Sequence, residues 1–200
     1  MTTLYLNNGK INGWHDAVSI HPLKVVYKPS RTPLDTSCSE RFLRCLTIVT
    51  CLRLQGVDLR KADGIPKFTS IGGKVRALEL VECVANINHL VDYLRHFPSL
   101  KQLSIFLPFL DLGEPLRDLD RTLEVPKLNG LLHLNIRGGM TEIDLLLGGL
   151  SCFPLGFSRV SLGYGCETSR LPTFLASLPT LTEIVLDGED SPCLVYSMAR

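Results

Sequence analysis

The chain has 200 residues, a length that suits one domain or one uninterrupted repeat array. Hydrophobic residues make up 45% and charged residues 20%, which excludes a disordered polymer and requires a core. The 21 Lys and Arg against 20 Asp and Glu leave a formal charge of +1, so there is no general attraction for nucleic acid or for anionic membranes.

Along the chain, one short pattern returns: apolar-x-x-apolar-x-apolar. A weak copy opens the chain as Met1-Thr-Thr-Leu4-Tyr-Leu6, and another fits Pro22-Leu-Lys-Val25-Val-Tyr27 only by forcing. Residues 1–48 are thus the least regular part, with one helix-like stretch at 40–46. Good copies follow at Val49-Thr-Cys-Leu52-Arg-Leu54, Val75-Arg-Ala-Leu78-Glu-Leu80 and Leu100-Lys-Gln-Leu103-Ser-Ile105. They continue at Leu131-Leu-His-Leu134-Asn-Ile136, Phe157-Ser-Arg-Val160-Ser-Leu162 and Leu181-Thr-Glu-Ile184-Val-Leu186. First positions are separated by 26, 25, 31, 26 and 24 residues.

Each copy reads as a short strand, because its fourth and sixth positions alternate with polar neighbours. Gly56, Gly138, Gly188 and Asn8 follow strands and suit the left-handed backbone of tight turns. Helix-like stretches fill the intervals at 87–96, 142–147 and 173–178. In the first of these, Ile87, Leu90, Val91 and Leu94 make one apolar stripe. Pro98, Pro126 and Pro179 stand before the next strand, where proline ends a helix and extends the residue before it. The mixed charges of 111–124 read as a solvated insertion on the outer wall, and they account for the 31-residue step.

One strand–turn–helix unit cannot bury its own apolar face, so neighbours must stack. The expected fold is α/β: a solenoid with a curved parallel sheet on its concave side and helices or irregular returns on its convex side. A doubly wound α/β fold is the alternative, but its strands read as continuous apolar runs. Here the third and fifth positions carry Arg53, Glu79, Gln102, Ser104, His133, Asn135, Arg159 and Ser161, which predicts one wet face. The array is expected to cover residues 1–190 as about seven or eight degenerate repeats, leaving 191–200 as a C-terminal tail. With no polar cap before Leu4, an exposed apolar edge and marginal solubility are also expected.

The copies resemble leucine-rich repeats, whose consensus is L-x-x-L-x-L-x-x-N/C-x-L. Cys83 occupies the Asn/Cys position of one copy, whereas Val57, Pro108, Gly139, Gly165 and Glu189 stand there in the others. The proline-linked form Leu94-Arg-His-Phe97-Pro98-Ser99-Leu100-Lys-Gln-Leu103-Ser-Ile105 is similar to the repeat arrays of fungal F-box proteins. That resemblance implies capture of a protein for ubiquitination, with an N-terminal F-box docking on a cullin-type ligase. No F-box-like start precedes Met1-Thr-Thr-Leu-Tyr-Leu-Asn-Asn-Gly, so the chain reads as a fragment or a truncated relative.

Signatures of chemistry are missing. Gly72-Gly73-Lys74 is preceded by Phe68 where a phosphate loop needs glycine, and reads as a turn feeding the next strand. Gly156-Phe157-Ser158-Arg159-Val160 does not complete a nucleophile elbow. His89 and His96 are too far apart for an i, i+4 chelate, and no two of the seven cysteines are spaced C-x-x-C. The odd cysteine number and the absence of an Asn-x-Ser/Thr acceptor fit free, mostly buried thiols in a reducing compartment. No signal peptide or apolar run of roughly 20 residues occurs, which predicts a cytoplasmic or nuclear protein.

The expected function is therefore protein binding on the concave face, without enzyme activity, cofactor, metal, nucleic acid or membrane. Substrate recognition in an F-box-type ubiquitin ligase is the narrower expectation. The alternatives are a stand-alone repeat scaffold and an α/β enzyme, and no oligomeric state follows from the pattern. The candidate partner-binding residues are Tyr5, Arg53, Gln55, Glu79, Gln102, Phe106, His133, Asn135, Arg137 and Arg159. Phe106 is expected to be exposed. Arg137 and Arg159 are expected to lie close together as a basic spot for a carboxylate or phosphate.

Overall fold

The structure is a computed structural model and describes residues 2–7, 10–12, 23–28, 49–60, 69–85, 87–107, 130–151, 155–163, 168–187 and 194–197. Its strands are β1 (Thr2–Asn7), β2 (Lys10–Asn12), β3 (Leu23–Lys28), β4 (Val49–Gln55), β5 (Ala77–Val81), β6 (Gln102–Leu107), β7 (His133–Gly138), β8 (Arg159–Gly163), β9 (Glu183–Asp187) and β10 (Leu194–Ser197). The helices are α1 (Thr69–Gly72), α2 (Ile87–Leu94), α3 (Met140–Leu150) and α4 (Leu171–Ala176). The expected helix at 40–46 and the charged insertion at 111–124 lie outside the described residues.

The strands form one open sheet in the order β10-β9-β8-β7-β6-β5-β4-β3-β1-β2. From β3 to β9 each strand pairs in parallel with the next in sequence, and β1 pairs in parallel with β3. From β3 to β10, strands adjacent in sequence are adjacent in the sheet, without the reversal of order that defines a doubly wound fold. The six good copies of the pattern become β4–β9. The motif's first residue (Val75, Leu100, Leu131, Phe157 or Leu181) is buried just ahead of its strand, which begins at the third position.

Two expectations about the ends of the array change. The forced copy at 22–27 is a full strand, β3, with a register shift between Leu23 and Lys24. The segment assigned to a tail supplies β10, antiparallel to β9. Likewise β2 covers the edge of β1, with Asn7 in register with Lys10. The intervening residues are Asn8 and Gly9, the dipeptide most favoured between hairpin strands. Helix boundaries move too. α3 is longer than 142–147, and α4 starts two residues early, because Pro172 in its first turn needs no N–H there.

The core lies between one sheet face and the helices. Leu52, Leu54, Leu78, Leu80, Leu103, Ile105, Leu134, Ile136, Val160 and Leu162 project from the strands against Leu90, Leu94, Ile143, Leu146, Leu147 and Phe174. Burial alternates along β5, β7 and β8, so the other face is only partly covered. A backbone ladder repeats beside the core. The carbonyls of Arg76, Lys101, Leu132 and Ser158 each accept two N–H groups from the following repeat, at 2.8–3.0 Å. Asp144 of α3 also reaches the next repeat, accepting from the Arg170 N–H at 2.9 Å and from Ser169 Oγ at 3.3 Å where α4 begins.

The turn after each strand shows how degenerate the repeats are. Gly56 follows β4 with φ +67°, as the sequence suggested, and its N–H donates to Val81 O. The equivalent residue after β5 is Glu82, at φ 53°, donating to Phe106 O. An L side chain in this region costs about 1 kcal/mol or more. Glu82→Gly is accordingly expected to stabilise the fold by about 0.5–1 kcal/mol, and Gly56→Ala to destabilise it by about 1 kcal/mol. Urea titrations of the two variants check the opposite signs, and a loss in Glu82→Gly would show that the side chain itself is needed.

Candidate functional site

The parallel register sorts the open face into three rows of side chains. The first row holds Cys51, Ala77, Gln102, His133, Arg159 and Glu183 across β4–β9. The central row holds Arg53, Glu79, Ser104, Asn135, Ser161 and Val185. The third row runs through Gln55, Val81, Phe106 and Arg137. Tyr5 joins the central row by backbone register alone, through Val26 to Arg53. All ten candidate residues therefore belong to one face.

Local chemistry differs between the rows. In the central row Arg53 Nη1 stands 3.7 Å from Glu79 Oε2, and in the first row Arg159 Nε stands 3.5 Å from Glu183 Oε2. These pairs are partly exposed, so each contributes no more than about 1 kcal/mol. In the third row the Arg137 guanidinium lies over the Phe106 ring, 5.6 Å from its centroid. A Cβ on Gly163 would come 3.0 Å from Arg137 Cγ, so the glycine leaves the room in which that side chain lies. Gln55 Nε2 donates to Glu82 Oε2 at 3.4 Å.

The expected basic spot does not form. Arg159 is in register with His133, whereas Arg137 is four residues further along β7, roughly 13 Å away at the rise of a strand. The two arginines lie at opposite edges of the face, one paired with Glu183 and the other stacked on Phe106. Phe106 is half-buried, and Leu132 is instead the exposed large apolar residue among those described. The face is also less wet than its positions implied. Cys51, Ser104 and Val185 are each about 95% buried (5%, 4% and 5% exposed), as is Val26 of β3 at 3%.

Some buried polar atoms on the face are left unsatisfied. Arg53 Nε and Asn135 Oδ1 are shielded from solvent without a hydrogen-bond partner. Such groups cost stability and concentrate where function competes with folding. Glu82 is a residue that sequence reasoning missed; aligning it with Gly56 would have exposed it. Cys83 is a buried free thiol. Its Sγ lies 3.5 Å from both Leu54 O and Val81 O, which share its single S–H donor, and burial raises its pKa, outweighing the lowering by backbone hydrogen bonds at Val57, Val81 and Gly56. The thiol stays protonated and unreactive at neutral pH.

Among the described residues, no helix is long and apolar enough to cross a membrane, and no group of three or more His, Cys, Asp or Glu side chains could hold a metal ion. Comparison with known proteins gives no matching family model, no significantly similar curated protein and no significantly similar solved structure.

Proposed function

We propose that the chain is a leucine-rich-repeat solenoid that holds a partner protein on its open sheet face, without covalent chemistry, cofactor or metal. The observation that carries this reading is the register: three rows of side chains run in line across β4–β9, on the face opposite the helix-packed core. Their positions are not spent on filling the core, so they suit a surface whose specificity is set row by row. Phe106 under Arg137 is the kind of aromatic–arginine anchor that dominates interface energies. Two acids of the face, Glu79 and Glu183, are engaged with arginines, which favours a binding surface over a catalytic pair.

The proline-linked repeats support a narrower version, substrate capture for an F-box-type ubiquitin ligase in the cytoplasm or nucleus. Recovery of a ligase adaptor together with the partner would separate that role from a stand-alone scaffold. The test is crosslinking affinity capture with wild type and with the variant Phe106→Ala/Arg137→Glu/Arg159→Glu. The triple variant alters both edges of the face while leaving the core intact. Loss of one partner by about tenfold or more in an equally folded variant is expected, since truncating a few anchors removes most of the binding energy. An unchanged set of captured proteins would overturn the assignment to this face.

A further inference from the structure

The edge of the sheet where strands β5–β7 begin carries a second surface, separate from the open face. Just ahead of the paired residues Ala77, Gln102 and His133 stand Arg76, Lys101 and Leu132, one on each of three neighbouring strands. Backbone hydrogen bonds hold them in line: Lys101 N–H donates to Arg76 O and Leu132 N–H donates to Lys101 O, both at 2.8 Å. With strands about 4.8 Å apart, the three residues span roughly 10 Å. Lys74, a third exposed cation, stands two residues before Arg76 in the turn after α1.

Lys74, Arg76 and Lys101 are all exposed, and no carboxylate among the described residues pairs with any of them. Glu79 of β5, three residues after Arg76, is already engaged with Arg53. Like charges on neighbouring strands repel, so this arrangement weakens the isolated protein and is relieved by an anion. Leu132, 37% exposed, continues the line directly after the two cations.

The geometry points to an acidic polypeptide segment with an apolar residue as the occupant of this edge. A span of roughly 10 Å matches about three residues of extended chain, enough for two carboxylates to meet Arg76 and Lys101 while an apolar side chain covers Leu132. A nucleic acid fits less well. Single strands bind on aromatic platforms along a basic groove, and the strip offers an aliphatic side chain on a chain of net charge +1. Phe106 and Arg137 lie near the opposite ends of the same strands, five residues on from Lys101 and Leu132 and roughly 17 Å away. The edge can therefore be occupied independently of the open face.

Fluorescence anisotropy tests the proposal with a labelled heptapeptide that has Leu at its centre and Asp or Glu elsewhere. Wild type is expected to bind it, more weakly as salt is added. Arg76→Glu/Lys101→Glu is expected to weaken binding by about tenfold or more, and Leu132→Ser by about threefold, with circular dichroism unchanged. Phe106→Ala/Arg137→Glu is expected to leave peptide binding as it is, which separates failure at this edge from failure of the open-face reading. Undetectable binding by wild type, equal binding by the charge-reversed variant, or equally tight binding of an oligothymidylate of matching charge would each overturn it.

Discussion

Replacing Phe157 by Ala is expected to destabilise the protein by about 4 kcal/mol, the largest effect of any single truncation considered. Phe157 is fully buried just ahead of β8, and its ring meets Phe174 of α4 at 6.5 Å between centroids. Its backbone carbonyl accepts from Thr180 Oγ1 at 2.9 Å, tying it to the approach of β9. The ring thus joins strand, helix and next repeat, and truncation leaves a cavity that none of these can close alone. Because the cavity would open between these elements, faster amide exchange is expected to concentrate in β8, α4 and β9. Phe157→Leu, which keeps most of the volume, is expected to cost under about 1.5 kcal/mol. A loss below about 1 kcal/mol in Phe157→Ala would show that the ring does not fill this space.

Gly72→Ala is expected to cost about 2–3 kcal/mol, although alanine ordinarily favours helices over glycine. Gly72 ends α1, and a Cβ there would run into the carbonyl oxygen of His96, with His96 C at 3.2 Å. The obstacle is backbone, so it cannot rotate away. Either α1 or the turn after α2 must move, and that turn is held by His96 N–H donating to Tyr93 O and by Tyr93 packed edge-on against His96 and Phe97. Gly148→Ala is the contrasting case. There the atoms in the way belong to the end of the exposed Arg170 side chain, which can swing aside. Thermal melts of the two variants should differ clearly, and equal melting temperatures would mean that α1 is free to shift.

The six regular strands were legible because their first, fourth and sixth positions fill the core, which leaves a strict apolar spacing in the chain. β3 was nearly missed because its copy begins with Pro22 and departs from that spacing. β2 and β10 were missed because three- and four-residue edge strands carry no period; only the Asn8-Gly9 pair could have announced the hairpin. α1, a single turn, is too short to show one. Among the candidate residues, membership of the open face was readable from alternation, since every second strand residue shares a face. Their mutual distances were not.

By itself, the sequence determined the repeat length, the alternation of strand and return, and which residues share each face of the sheet. These follow from local chemistry, the period of a strand and the need to bury apolar positions, and they survive any choice of neighbour. Only the tertiary structure decided the register between strands, and with it which side chains meet. Register brought Arg137 onto Phe106 rather than beside Arg159, paired Arg53 with Glu79, and set Arg76, Lys101 and Leu132 side by side. Those partners are 25 to 31 positions apart in the chain, where no local pattern links them and only the parallel pairing of neighbouring strands does.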